Sequence, residues 1–142
     1  MIFRYLTVTF LGDSPLPTHW SVSAWGVNAP WDPTDTSFVS SDYVLNRVWA
    51  LAAHTLEKGV LDTYTDSNAR ERRPYEADGL IASGSRMRLQ RNSVMWARHS
   101  HSWVITYPTW PVEWLQMTPF LAWEDYWATG STDLADAYFA LL

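Results

Sequence analysis

At Phe38 the hydrophobic pattern of this chain changes period, and the change divides what can fold on either side of it. Before that point apolar and polar residues alternate, which puts successive side chains on opposite faces of an extended chain. After it, apolar residues recur at three- and four-residue steps, which puts them on one face of a helix. The first 37 residues predict strands, in Phe3-Arg4-Tyr5-Leu6-Thr7-Val8-Thr9-Phe10 and in Trp20-Ser21-Val22-Ser23-Ala24-Trp25. Gly12, Asp13, Ser14, Pro15 and Pro17 separate the two, and Asn28, Pro30, Asp32 and Pro33 end the second. An isolated hairpin is marginal in water, so these strands are expected to belong to a sheet completed elsewhere or packed on helices.

The remainder predicts helices joined by loops. Ser41 or Asp42 caps a first helix through Val44, Leu45, Val48, Trp49, Ala52 and Leu56, with Gly59 to end it. A loop from Asp62 to Arg73 leads to Pro74, expected as the first residue of a second helix carrying Leu80, Ile81, Gly84, Met87 and Leu89. Met95 to Pro108 is mixed, and Val104-Ile105-Thr106-Tyr107 reads as extended. Thr109 and Pro111 are expected to start a helix through Trp114, Leu115, Leu121, Trp123 and Tyr126 to Gly130, kinked at Pro119. Ser131 or Thr132 caps a last helix, whose apolar stripe Ala137-Tyr138-Phe139-Ala140-Leu141-Leu142 calls for something to cover it. The spacing suggests hairpins stacked side by side, in a piece of something larger.

Composition narrows the function. Ten basic residues, nine of them Arg spread along the chain, against fifteen acidic ones leave a net charge of −5, with no electrostatic footprint for a nucleic acid. No apolar stretch approaches the roughly 20 residues of a membrane span, and the first residues lack the layout of a signal peptide. Without Cys there is no disulfide framework and no thiolate nucleophile. Ten Trp and seven Tyr are a heavy load, used in proteins either as core or as flat surfaces that stack on ligands such as the C–H faces of sugars.

The densest polar stretch, Asp62 to Gly79, is a loop entering a helix and offers three carboxylates, Asp66, Glu71 and Asp78, beside Tyr75. Glycoside hydrolysis needs such a set: one carboxyl to protonate the leaving oxygen, another to activate water, and polar groups on the ring hydroxyls. The competing reading is a solvated loop in which Arg70, Arg72 and Arg73 pair with neighbouring acids. The two differ in what Glu71 experiences, since a proton donor needs burial or like charge to raise its pKa, whereas water and an Arg partner work against it. His99-Ser100-His101 would place two imidazoles on one face of a strand, but no further ligand is spaced to complete a metal site. No nucleophile-elbow pattern surrounds any Ser to go with His19, His54, His99 or His101.

The motif Asp66-x4-Glu71-x6-Asp78, with Arg70 and Arg72 flanking the Glu, resembles the signature of the α-L-rhamnosidases of glycoside hydrolase family 78. Phe3 to Val8 is similar to the end of that family's β-sandwich, and Phe38-Val39-Ser40-Ser41-Asp42 with Leu45-Asn46-Arg47-Val48-Trp49 resembles its first barrel helix. Tyr107-Pro108-Thr109-Trp110 through Tyr126-Trp127-Ala128-Thr129-Gly130 resembles a later hairpin. The resemblance implies a mainly α fold: residues 1–37 a remnant of a β-sandwich with its linker, residues 38–142 the N-terminal part of a six-hairpin (α/α) toroid. It implies an inverting hydrolase of rhamnose-containing glycosides or polysaccharides that uses no cofactor and no metal. Glu71 matches the general acid, Asp66 and Asp78 the carboxylates that hold rhamnose hydroxyls, with Arg70 beside them. Tyr75 stands where the family often has a stacking Trp, and Trp110 and Trp114 are candidates for the pocket wall.

The family's general base is a Glu in a later hairpin, for which this sequence has no matching position; Glu76 and Glu113 are only loosely placed substitutes. The expectation is therefore a rhamnosidase fragment, inactive alone, with the rest of the toroid covering its last helix. The alternatives are a sugar-binding remnant without chemistry and a truncated product without function.

Overall fold

A computed structural model describes residues 4–12, 15, 18–110 and 112–142. Phe3, Asp13, Ser14, Pro17 and Pro111, all used in the expectations above, lie outside the described residues. The protein is mainly helical: α1 (Tyr43–Lys58), α2 (Glu76–Leu89), α3 (Val94–Thr106), α4 (Thr118–Thr129) and α5 (Asp133–Tyr138), with 3-10 turns at Arg91–Ser93 and Leu115–Met117. Among the described residues there is no strand. The alternating segments around Tyr5–Phe10 and Trp20–Trp25 take no regular structure and are exposed, without ladder partners. Alternation supplies a face to bury but not the second strand or layer that would bury it.

The first helix begins and ends where its signals stand. The Asp42 carboxylate accepts from the N–H groups of Val44 (2.7 Å) and Leu45 (3.3 Å), and Gly59 closes the last turn on Thr55 O at 2.8 Å. Among the helices α1 packs only against α2. Its Val44, Leu45, Val48 and Leu51 are exposed, so its apolar stripe is largely uncovered.

The second helix starts two residues later than expected: Pro74 precedes it and Tyr75, with φ −110° and ψ 153°, is its N-cap. Proline fixes its own φ for a helix start but biases the residue before it, not the two after it, so the start is free to shift. The buried face of α2, Glu76, Gly79, Ser83, Gly84 and Arg86, is made of small residues interleaved with charged ones. That face lets α3 and α4 approach closely.

The stretch read as extended at Val104–Tyr107 is helical through Thr106, as part of α3. Ala97, Ser100, His101, Val104 and Ile105 are its buried residues, a stripe at helical spacing that the polar Ser and His conceal from a hydrophobicity pattern. Burial of Val104 and Ile105 against Leu121, Ala122 and Leu134 outweighs their β-branched preference. Likewise the helix expected from Thr109 begins at Thr118. Pro119 lies in its first turn, where its missing N–H costs nothing, and so starts α4 rather than kinking it. Gly130, at φ +71°, takes the left-handed conformation that ends α4. Thr132 is the N-cap of α5, and Ser131 Oγ accepts from Asp133 N at 3.1 Å.

A second small core, Ala29, Val60, Tyr64 and Ala97, lies under a strap formed by residues 29–35. The strap is held by Ala29 N to Val60 O (2.8 Å) and by the Gln90 side-chain amide, which donates to Asp32 O (2.8 Å) and accepts from Asp32 N (2.7 Å). Arg86, fully buried, donates to Pro30 O and Leu56 O and lies 5.4 Å from the Trp31 ring centre.

Candidate active site

The loop that carries the three carboxylates is anchored before it reaches them. The last carbonyls of α1 have no partner within the helix. Asn68 donates to Lys58 O (2.5 Å), and Thr65 donates through N (3.3 Å) and Oγ1 (3.0 Å) to Gly59 O. From the other side Ser100 Oγ of α3 accepts the Tyr64 N–H at 3.1 Å. The loop is then closed at its neck: Asp66 N donates to Arg73 O and Arg73 N to Asp66 Oδ1, both at 3.0 Å. Inside that neck Arg72 has φ +58°, a left-handed conformation that a bulky side chain adopts at a cost.

Beyond the neck, Asp66, Glu71, Tyr75 and Asp78 act on one another. Burial would raise the Asp66 carboxyl, but hydrogen bonds from the Arg73 backbone and from Ser67 outweigh it, and Asp66 titrates below its ordinary value. Asp78, in the first turn of α2, is pushed the other way, by burial first and then by the negative charge of Asp66, with Glu71 adding to it. The Tyr75 phenol is raised by its hydrogen bond with Glu71, by burial, and by the charges of Glu71 and Asp66. The three carboxylates and the phenol are thus near enough to feel one another's charge.

The expected aromatic wall stands beside them. Tyr75, Trp110 and Trp114 form a three-ring corner, with centroids 5.7 Å apart for Tyr75 and Trp110, 5.8 Å for Tyr75 and Trp114, and 5.4 Å for the two Trp. Trp110 is 45% exposed, so its ring is open to a ligand. None of the ten Trp is among the buried residues; Trp20, Trp25, Trp103, Trp110, Trp123 and Trp127 are exposed. The aromatic load is therefore spent mainly on surfaces.

Glu71 itself sits unlike a poised acid. Its side chain is 33% exposed, and Arg70 Nη1 is 2.5 Å from Oε1. It stands as an ion pair open to water, and Asp78 is the carboxyl raised by burial. Arg70 reaches the cluster through Glu71, and its charge helps to lower Asp66.

Glu76 is a residue whose role the sequence did not suggest. It is fully buried, and its carboxylate accepts from Thr109 N (2.6 Å), Thr109 Oγ1 (2.8 Å) and Trp110 N (3.4 Å). It thereby fixes the turn that presents Trp110 to Tyr75, and it is not free to serve as a base. Glu113 is exposed in the turn that follows.

On α3, residues two apart point roughly 200° from each other around the axis, so His99 and His101 do not share a face. His101 is buried against Ser83 Oγ (2.8 Å), and His99 is exposed. Among the described residues no group of His, Asp and Glu is placed to hold a metal ion, and no helix is long and apolar enough to cross a membrane. No protein family, no curated protein and no solved structure matches the chain.

Proposed function

We propose that this chain is part of an inverting α-L-rhamnosidase of glycoside hydrolase family 78 and forms the first hairpins of its six-hairpin toroid. The single observation that carries this is the electrostatic coupling of Asp66, Glu71 and Asp78 with Tyr75, whose ring packs in a corner with Trp114 and the exposed Trp110. Carboxylates next to an aromatic corner suit a sugar: the rings take its C–H face and the acids its hydroxyls. In this reading Asp66 and Asp78 hold rhamnose and Glu71 protonates the leaving oxygen once a bound glycoside displaces Arg70 and excludes water. An inverting site also needs a base roughly 6.5–9.5 Å from the acid. Glu76 is engaged elsewhere, so the 142 residues bind the sugar without completing the reaction.

The expected result with a natural α-L-rhamnoside is no release of rhamnose by this chain. Turnover that the Glu71→Gln variant abolishes would overturn the absent base and leave Glu71 as the acid. Turnover that the variant retains would remove Glu71 from that role. A second reading, carbohydrate binding without any chemistry even in a completed protein, is favoured by the exposure of Glu71 and its Arg70 partner. Hydrolysis by a completed protein, lost in Glu71→Gln, would decide against it.

A further inference from the structure

Behind the loop that carries the carboxylates lies a second concavity, of about 520 Å³, whose lining includes Asp62, Asn68, Arg72, Pro74, His99 and Trp103. It takes in none of Glu71, Tyr75, Asp78 or Trp110 and is therefore separate from the site above. It runs into a neighbouring cleft through the shared residues Leu61, Asn68 and Arg72, and that cleft adds His54 and Lys58. Arg72 is the one cation common to both.

Two observations taken together single Arg72 out. Its backbone is held at φ +58°, a conformation that glycine takes freely and arginine does not, by the hydrogen-bonded neck between Asp66 and Arg73. Its guanidinium, like that of Arg73, has no ion pair and no hydrogen bond among the described residues, whereas Arg70, Arg88, Arg91 and Arg98 each have an acidic partner. The acid in the same lining, Asp62, already accepts from Thr63 N at 2.9 Å. Strain that places an unpaired cation in a cleft is strain at a candidate binding position. Trp103, 37% exposed, supplies a flat apolar wall, and hydroxyl and amide groups complete the lining.

We propose that this cleft is a second saccharide site, specific for a sugar that carries a carboxylate. The planar fork of Arg72 takes the carboxylate through two parallel hydrogen bonds, and the ring of the sugar lies on Trp103. The proposal rests on the sugar-handling reading of the chain for its class of ligand, but not on the residues of the first site.

The probes are D-glucuronate and D-glucose, which differ at C6 as carboxylate against hydroxymethyl, with acetate as a carboxylate without a ring. Binding to the full chain is followed through the indole N–H resonances, with Trp103 assigned by Trp103→Phe. The expected result is a saturable shift of the Trp103 signal with glucuronate. Glucose should bind at least about tenfold more weakly, and acetate should bind without moving Trp103. Arg72→Gln should weaken glucuronate by about tenfold or more, and Arg72→Gly should do the same while relieving the backbone, so that loss of binding is separated from loss of folding. Equal response to glucose and glucuronate, an acetate response matching glucuronate, or glucuronate binding retained in Arg72→Gly would each overturn the proposal. Asp78→Asn should leave glucuronate binding unchanged. Failure of L-rhamnose to bind while glucuronate binds counts against the first site alone, and the reverse counts against this cleft alone.

Discussion

Glu76 and His101 are two fully buried polar side chains, each with partners distant in sequence. Removing the Glu76 carboxylate in Glu76→Ala leaves the Thr109 N–H and hydroxyl without their acceptor. The expected loss is about 1.5–3 kcal/mol in urea unfolding, the range for hydrogen bonds to a charged group, together with a shift of the Trp110 indole resonance as its turn loosens. An unchanged Trp110 signal would separate Glu76 from the positioning of the wall. His101 is pushed down to about 4, by burial first, against the opposing pull of Asp125. Its unfolded value is near 6.5, so between the two the unfolded chain binds the extra proton. The stability His101 contributes is therefore complete above about pH 6.5 and is lost as pH falls toward about 4, by about 3 kcal/mol in all. Unfolding free energies at pH 7 and pH 4.5 should diverge in the wild type and converge in His101→Gln.

At the scale of elements, the caps were more legible than the interiors. Asp42 and Gly59 bound α1, and Gly130 ends α4, because those signals act through atoms a few residues away. Pro74 and Pro119 are each compatible with more than one neighbouring register, and tertiary contacts chose between them. α3 was hidden because its buried stripe includes Ser100 and His101, whose partners Tyr64 and Ser83 are distant in sequence. Glu76 was hidden for the same reason: 33 residues separate it from Thr109. The carboxylate motif itself was legible because it is local, whereas the environment of Glu71 was not. Since α1 leans on α2 alone among the helices, its cap carries an unusual share of its stability. Asp42→Ala should cost about 1 kcal/mol, seen as faster amide exchange confined to residues 43–58 with the rest of the protein unchanged. Faster exchange throughout would mean that α1 folds as one unit with the other helices.

Over the whole molecule, the helices stack from α1 to α5 and leave apolar surface at both ends of the stack. One is the outer face of α1; the other is a groove of about 610 Å³ between α4 and α5, walled by Trp123, Tyr126 and Phe139. Of the expected fold class the structure shows the mainly helical character, which the change of period at Phe38 announced. The carboxylate cluster is built from one loop and the first turn of α2, and the aromatic corner beside it from the turn held by Glu76. In the reading we propose, the cluster holds rhamnose through Asp66 and Asp78, with Glu71 reserved for proton transfer. The most direct test is calorimetric titration of the 142-residue chain with L-rhamnose, in the wild type, Glu71→Gln and Asp78→Asn. The expected result is saturable binding that Glu71→Gln leaves nearly unchanged and Asp78→Asn weakens by about tenfold, the loss of one charged hydrogen-bond acceptor. No saturable binding by the wild type, or equal binding by Asp78→Asn, would contradict the assignment of this site to rhamnose.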